Sequence, residues 1–293
     1  MSPQAYPRPE CDVPSLSKIL VESFVRRALE EDLGQAGDIT SYSVVSSSDL
    51  AKAKIVAREE GVIAGIQAAV LAFNLADTEL NVSIVKSDGA ILEKGDVVAV
   101  VEGLALPILT AERTALNFLA HLSGIATATN ELVNAAQGTK AKIRCTRKTT
   151  PGLRILEKYA VRIGGGVNHR FGLDESILIK DNHIAVSGGV AQALAAAQKS
   201  IDPLTPIEVE VENIDQLDEA IAGGATSILL DNMTLSGLRE AVTRADGKVI
   251  MEASGNVTVD NVREIADTGV DYISSGWITH SAPALDFGLD FLV

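Results

Sequence analysis

Thiols are scarce in this chain: of 293 residues only Cys11 and Cys145 carry one. Two cysteines are too few for a disulfide framework or a thiolate metal site. Both are read as inert thiols suited to a reducing compartment, not as nucleophiles. Long apolar runs are missing too. Hydrophobic residues reach 46%, yet no run approaches the roughly 18 residues needed to cross a bilayer. The opening MSPQAYPRPECDVPSL has no basic-then-apolar signal pattern. A cytoplasmic location is expected. Net positive charge is absent as well. The formal charge of −14 argues against generic nucleic-acid binding, which draws its affinity from cations laid against phosphates.

What charge there is lies unevenly. Between Lys140 and His183 stand ten Lys or Arg and four acids, a surplus of six positive charges on an acidic protein. Such a patch suits a pocket for small anions, because a focused field concentrates them while net charge keeps the protein dispersed. Within it Lys140, Lys142, Arg154 and Lys158 read more simply as a solvated basic helix face. The length exceeds one ordinary domain, and an α/β barrel alone takes about 250 residues, so a large and a smaller domain are expected.

Residues 1–14 read as an arm, and Ser15–Glu31 as a first helix ending near Gly34. Short β-like runs follow at Ala53–Ala57, Val82–Val85 and Asp96–Glu102, with turns at SDGA and EKGD and a helix around Gly65–Leu75. This is a small α+β domain. Its phrase VKSDGAILEKGDVVAVVEG resembles the half-barrel of lipoyl or biotinyl carriers, but no exposed Lys stands at a hairpin tip. A long helix is predicted over Thr110–Ala136, with Thr110 as N-cap and Glu112 in the first turn. From Ala141 onward the runs KIRCT, ILIK, PIEVEV, SILL, VIMEA and YIS alternate with amphipathic helices. That alternation predicts a parallel sheet with right-handed crossovers. Six strands are clear and a seventh is expected near Ile163. No G-x-G-x-x-G follows the first of them, and GGG at 164–166 is no substitute, so an incomplete (β/α) barrel is preferred to a dinucleotide fold. The boundaries read as 1–124 for the N-terminal α+β domain, with the tail 281–293 as a candidate addition to it, and 125–280 for the barrel.

Polar residues recur where these strands end. Arg147 and Lys148 follow KIRCT; Lys180, Asp181, Asn182 and His183 close ILIK; Glu210 stands in PIEVEV; Asp231 and Asn232 follow SILL; Ser254 and Gly255 follow VIMEA; Ser275 and Gly276 follow YIS. In barrels the C-terminal strand ends converge on one rim, where active sites are built. One charged strand end means little; six in series point to a site. Arg147 and Lys148, with His169 and Arg170, suit a carboxylate or phosphate ligand held in bidentate forks. Lys180 holds an anion or forms a Schiff base. Glu210 and Asp231 are structural acids, orient sugar hydroxyls, or help bind Mg2+. The turns SGN at 254–256 and SSG at 274–276 lie where barrels cradle phosphate with backbone amides.

The segments TAERTALNFLAHLSGIAT, TRKTTPGLR, GGGVNHRFGLDESILIKDNHI, EVEVEN, ILLDNM, EASGNVT and ITHSAPALD resemble those of the quinolinate phosphoribosyltransferases, from about Leu16 to the C-terminus. The resemblance implies phosphoribosyl transfer from phosphoribosyl pyrophosphate (PRPP) to quinolinate with decarboxylation, giving nicotinate mononucleotide, pyrophosphate and CO2 in de novo NAD biosynthesis, with Mg2+. It implies that the N-terminal α+β domain is an open sandwich, and a homodimer or hexamer in which Arg113 reaches the partner's quinolinate. It further implies that Arg147, His169 and Arg170 bind the two pyridine carboxylates. Lys148 and Lys180 would lie between the reactants, Glu210 and Asp231 at ribose hydroxyls and metal, and Ser254, Gly255, Asn256 and Gly276 at the 5′-phosphate. The sequence departs from the family pattern at Ser275 and Trp277, leaving that loop's shape open. A related transferase with another acceptor, including the family's molybdenum-associated relatives, a Schiff-base aldolase acting through Lys180, and a non-catalytic binding protein or carrier are the rival readings.

Overall fold

The computed structural model describes residues 13–292; Cys11 and residues 1–12 of the expected arm lie outside them. The chain begins with α1 (Lys18–Leu33), α2 (Ile39–Val44), β1 (Leu50–Ala57), β2 (Gly61–Val62), α3 (Ile66–Ala76), β3 (Asn81–Ile84), β4 (Ile91–Leu92) and β5 (Val97–Leu104). It continues through α4 (Ala105–Ala135), β6 (Lys142–Arg144), α5 (Arg154–Ile163), β7 (Ile177–Ile179), α6 (Asp181–Ser187), α7 (Val190–Ser200) and β8 (Ile207–Val211). Then come α8 (Ile214–Ala222), β9 (Ser227–Asp231), α9 (Leu235–Ala245), β10 (Ile250–Ser254), α10 (Val262–Ala266), β11 (Tyr272–Ser274), α11 (Trp277–His280) and β12 (Phe287–Phe291). Two compact units result. One holds the described residues up to Ala128, Ile155–Gly165 and those from Ala282 on; the other holds Thr129–Arg154 and Gly166–Ser281.

The first unit is built on an antiparallel sheet of order β12-β1-β5-β3. The C-terminal β12 pairs with β1 from Ala53–Phe291 to Ala57–Phe287, so the last strand of the described chain lies beside the first. Turns at SDGA and EKGD place Gly89 and Gly95 at φ 88° and 95°, which glycine adopts without the Cβ penalty. α1 stops at Leu33, where the Gly34 amide donates to the Glu30 carbonyl. α4 starts at Ala105, five residues before the expected start, and Thr110 is not its cap. The Thr110 hydroxyl instead faces Asp38, the residue that caps α2 through the Ser41 amide. Ile108, Ala111, Ala115, Leu119 and Leu122 form the buried stripe of α4 at helical spacing. Each isoleucine or leucine so buried contributes roughly 1.5–3 kcal/mol.

Lys158 corrects the sequence reading. It was expected on a solvated face, but it is 0% exposed, and Leu156, Glu157, Tyr159, Ala160 and Val161 around it on α5 are buried too. Glu157 meets His121 Nε2 at 2.9 Å, and the Tyr159 hydroxyl donates to Asp88 at 2.7 Å. Arg154 is no free surface cation either, since it donates to the Thr149 hydroxyl and to the carbonyls of Phe171 and Arg147. Lys142 is exposed but stands on a strand, and Lys140 pairs with Asp271.

In the second unit six strands run parallel in the order β6-β11-β10-β9-β8-β7, with no pairing between β6 and β7, so the barrel is incomplete. The expected seventh strand is not at Ile163, which is helical; a single parallel bridge joins Arg144 to Val167 on the free edge of β6. Strand residues alternate. Ile143, Ile179, Val209, Val211, Ile228, Leu230, Met251, Ala253 and Ile273 are buried on one side, as a sheet covered by helices requires. The other parity carries Arg144, Glu208, Glu210, Leu229, Asp231, Glu252, Ser254 and Ser274, in rows fixed by the registers Glu210–Leu229–Glu252 and Asp231–Ser254–Ser274–Arg144. Successive strand side chains point to opposite faces, so these polar rows share one face of the sheet.

Candidate active site

At the C-terminal ends of these strands lies a cavity of about 850 Å³. Of the sequence-predicted site residues, Arg147, Lys148, His169, Arg170, Lys180, Glu210, Asp231, Ser254, Gly255, Asn256, Ser275 and Gly276 all line it. Arg113 does not; it is exposed on α4 with no ion pair recorded among the described residues. The cavity is also lined by Asn232, which the strand-end argument named, and by Thr146, Leu178, Glu252, Thr258, Trp277 and His280, which it did not select.

The cations are held by main chain. The loop after β6 is braced where Arg154 donates to the Arg147 carbonyl at 3.3 Å and the Thr279 hydroxyl donates to the Lys148 carbonyl at 2.8 Å. Arg170 Nη1 donates to the Ser176 carbonyl at 2.7 Å. Burial pulls the Arg170 guanidinium below the ordinary arginine range; the neighbouring charge of Arg147 pulls it further, and Glu208 works the other way. The Nε atoms of both arginines are buried without a hydrogen-bond partner. Two partly desolvated cations side by side repel each other, and a ligand with two negative groups relieves that repulsion.

Lys180 closes β7 and sends its ammonium to Glu210 Oε2 on β8, 2.5 Å away. Asp231, at the end of β9, accepts from Asn232 Nδ2 at 2.9 Å. Glu210 and Asp231 supply hard oxygen donors. They belong to no cluster of three ligating side chains among the described residues, and oxygen donors are the ligand type that Mg2+ takes.

The turn after β10 leaves no room for a side chain at Gly255. Gly255 lies at φ 110°, and a Cβ there would stand 2.1 Å from Asn232 Oδ1. Asn232 and Asn256 themselves adopt φ 53° and 48°. The Asn232 amide donates to the Ser254 carbonyl and Asn261 Nδ2 to the Asn256 carbonyl, both at 2.9 Å. Across the cavity lining, a Cβ on Gly276 would meet Lys148 Cδ at 3.0 Å. Ser275 Oγ is buried without a partner. These turns bring backbone and small side chains close to whatever occupies that end, the arrangement that phosphate-binding concavities use.

Beneath the mouth lies a layer missed in the sequence. Arg144 on β6 pairs with Glu252 on β10, and its Nη1 is 3.9 Å from Glu208 on β8. Its guanidinium lies 4.3 Å from the centroid of the Tyr272 ring. Ser274 donates to Glu252, and Ser227 donates to Glu208 at 2.8 Å. His169 Nε2 is 2.9 Å from Glu208 Oε2. Burial drives the Glu252 carboxyl above its ordinary value, and the charge of Glu208 adds to this. Burial also raises Glu208, but the His169 contact, the Ser227 hydrogen bond and the charge of Arg144 together outweigh it and hold that carboxyl low. The atoms of His169, Glu208 and Glu252 that could ligate a metal lie within 4.8 Å of one another. The Arg144 guanidinium already supplies their positive charge. The available signal was a charge at alternate positions inside three apolar strands, Arg144, Glu208 and Glu252, all of the parity that faces away from the helices.

Comparison with known proteins agrees over almost the whole chain. Residues 125–290 match the family model described as the quinolinate phosphoribosyl transferase C-terminal domain, and residues 38–123 match that of the N-terminal domain. The carboxylating nicotinate-nucleotide pyrophosphorylase of Mycobacterium leprae is 47% identical over 271 residues, covering 91% of this chain and 95% of its own. A probable counterpart in Bacillus subtilis is 44% identical over 275 residues, with 94% and 93% covered. The crystal structure of the nicotinate-nucleotide pyrophosphorylase of Ehrlichia chaffeensis superposes with a TM-score of 0.90 at 43% identity, covering 95% of this chain and all of that one. With both family domains matched in order on the barrel and sandwich described above, this chain belongs to the quinolinate phosphoribosyltransferase family.

Proposed function

We propose that this chain transfers the phosphoribosyl group of PRPP to quinolinate, releases pyrophosphate and CO2, and forms nicotinate mononucleotide at the cavity of the second unit. The observation that carries the assignment of reactants is the pairing of Arg147 with Arg170, whose buried Nε atoms lack partners. Their charges match the two carboxylates of a pyridine diacid, and a monoacid leaves one of them uncompensated. Lys148 and Lys180 meet the negative oxygens between the reactants. Ser254, Gly255, Asn256, Ser275 and Gly276 receive the 5′-phosphate through backbone amides and hydroxyls.

The chemistry follows from these charges. The C1′–O bond breaks with its electron pair leaving on pyrophosphate, and positive character grows on the ribose carbon. Lys148 and Lys180 favour the departing anion; Glu210 and Asp231 favour the cationic sugar and orient its hydroxyls. The pyridine nitrogen then bonds to C1′ and becomes positive. The carbon bond to the adjacent carboxylate breaks, CO2 leaves, and the pair left on the ring carbon is stabilised by that nitrogen until a proton replaces it. No covalent nucleophile is required, and holding the two reactants together supplies much of the acceleration. Glu210 and Asp231 would hold Mg2+, which when bound neutralises phosphate charge.

A homodimer or larger assembly is part of the proposal, with Arg113 serving the quinolinate of the neighbouring subunit; its exposure on α4 and its absence from the cavity lining support this. A cytoplasmic location is also proposed, supported by the reduced, buried thiol of Cys145, which donates to Asn168 Oδ1 at 3.4 Å. No helix among the described residues is long and apolar enough to cross a membrane. The test is turnover: purified protein with quinolinate, PRPP and Mg2+ should release CO2 and nicotinate mononucleotide in equal amounts. Turnover of nicotinate in place of quinolinate would reject the acceptor, and ligand retention without turnover would reject catalysis.

A further inference from the structure

We infer that Trp277 contacts the phosphorylated reactant: its ring walls the phosphate end of the cavity, and its indole N–H donates to the 5′-phosphate. This deepens the proposed function and rests on it for placing that phosphate at Ser254, Gly255 and Gly276. The inference begins with two sides of one helical turn. α11 has only four residues, Trp277–His280. Ile278 and Thr279 are buried, and the Thr279 hydroxyl donates to the carbonyls of Lys148 and Gly276. These two pack the turn against the barrel. Trp277 and His280 stand three residues apart, hence on one side of the turn, and both line the cavity. The turn thus packs through Ile278 and Thr279, and its aromatic ring faces the ligand side.

The main chain on both sides of the ring is held. Before it, the Ser275 amide donates to the Arg144 carbonyl at 3.0 Å; after it, the Ser281 amide donates to the Trp277 carbonyl at 3.0 Å. The Thr279 and His280 amides close the turn on the Gly276 carbonyl at 3.1 and 3.0 Å. A half-buried indole is therefore fixed directly beside the glycine assigned to the phosphate. Its chemistry suits that neighbour. An indole N–H donates and never accepts, so an anion is a natural partner. Among the described residues no hydrogen bond engages it, although a tryptophan taken partly out of water ordinarily finds one. On the other side of Gly276, Ser275 Oγ is buried and also without a partner. Two unengaged neutral donors flanking one glycine match the several oxygens of a phosphate, and a ring that keeps water away strengthens such bonds. The 5′-phosphate is common to PRPP and nicotinate mononucleotide and is missing from quinolinate and pyrophosphate. Trp277 therefore tightens substrate and product alike.

The test reads the ring directly. Trp277 is the single tryptophan of the chain, beside four tyrosines, so emission excited beyond the tyrosine band reports on this residue alone. Ribose 5-phosphate, and PRPP with Mg2+, should shift that emission saturably, while quinolinate or pyrophosphate should leave it in place. An emission indifferent to ribose 5-phosphate where calorimetry records its binding, or one shifted by quinolinate alone, would overturn the inference. Kinetics supplies an independent readout, because Trp277→Phe keeps a ring and loses the N–H, while Trp277→Ala loses both. The PRPP KM should rise about tenfold in the Phe variant, the cost of a hydrogen bond to a charged group, and about thirtyfold or more in the Ala variant. The inhibition constant of nicotinate mononucleotide should rise by the same factor in each, and the quinolinate KM should move in neither. A Phe variant with the parent's PRPP KM would overturn the inference, since a ring that only packs needs no N–H; so would a quinolinate KM that rises in step. If the chain fails to use quinolinate at all, the proposed function falls, while the emission of Trp277 with ribose 5-phosphate still decides whether the ring meets a phosphate.

Discussion

Lys180 Nζ stands 2.5 Å from Glu210 Oε2, joining the C-terminal ends of the adjacent parallel strands β7 and β8. Each charge compensates the other at the cavity lining, with the lysine side chain 44% exposed and the carboxylate 12%. An arriving polyanion competes for the ammonium, and a cation or sugar hydroxyls compete for the carboxylate, so both reactant classes have a partner ready. Lys180→Met should lower kcat about 10²–10³-fold, the usual cost of removing one donor aimed at developing negative charge. Steady-state formation of nicotinate mononucleotide measures it. Trapping of Lys180 by borohydride with a carbonyl substrate would instead show Schiff-base chemistry.

Arg170→Lys keeps the charge but loses the planar fork. The quinolinate KM should rise about 10–100-fold, the cost of a hydrogen bond to a charged group, with the PRPP KM changed far less. Comparable rises for both reactants would mean that Arg170 shapes the whole cavity and does not read the diacid.

Gly255→Ala places a Cβ against Asn232 Oδ1 in a turn at φ 110°. Strain of this kind costs about 1–3 kcal/mol. The PRPP KM should rise about tenfold or more while the quinolinate KM changes little. Initial rates with each reactant varied in turn separate the two.

Asp88 supplies a pH signature in the sandwich unit. Burial pushes its carboxyl above the ordinary 3.8, against hydrogen bonds from the Ile66 amide and the Tyr159 hydroxyl. The folded chain therefore keeps this proton to higher pH than the unfolded chain does, and unfolding releases it in the interval just above 3.8. The stability that Asp88 contributes is fully present below that value and is lost as pH climbs through the raised one. Urea unfolding of the parent and of Asp88→Asn should show the difference drifting in favour of the variant as pH rises from about 3.5 to 7. A drift the other way would show that the fold favours the ionised carboxylate.

A complementation experiment addresses Arg113. Inactive Arg113→Ala protein mixed and reassembled with inactive Lys180→Met protein should recover about a quarter of parental activity if subunits pair at random, because one site in each mixed dimer is then intact. No recovery after verified exchange would place Arg113 at the site of its own chain or outside the reaction.

Much of the site was legible because parallel strands between helices deliver their C-terminal ends to one rim. Arg147, Lys180, Asp231, Ser254 and Gly276 follow apolar runs and could be aligned by that rule alone. Arg144, Glu208 and Glu252 were not found by it, since they stand inside strands, one layer below the rim, where a charge reads as an interruption of the pattern. Lys158 was misplaced for a different reason. Its neighbours on α5 mix polar and apolar residues as a surface helix does, yet α5 is buried on nearly all sides. The pairing of β12 with β1 is a contact between distant segments, and its register comes from no local sequence signal. α4 starts before Thr110 because Pro107, which lacks an N–H, is accommodated in a helix's first turn.

The most direct measurement is calorimetric binding of quinolinate and of nicotinate to the free protein. Arg147 and Arg170 reading two carboxylates predict quinolinate binding at least about 10²-fold tighter, a difference of ~2.7 kcal/mol, shrinking to about tenfold or less in Arg170→Lys. Equal affinities for the two acids, or a preference untouched by the substitution, would contradict the account.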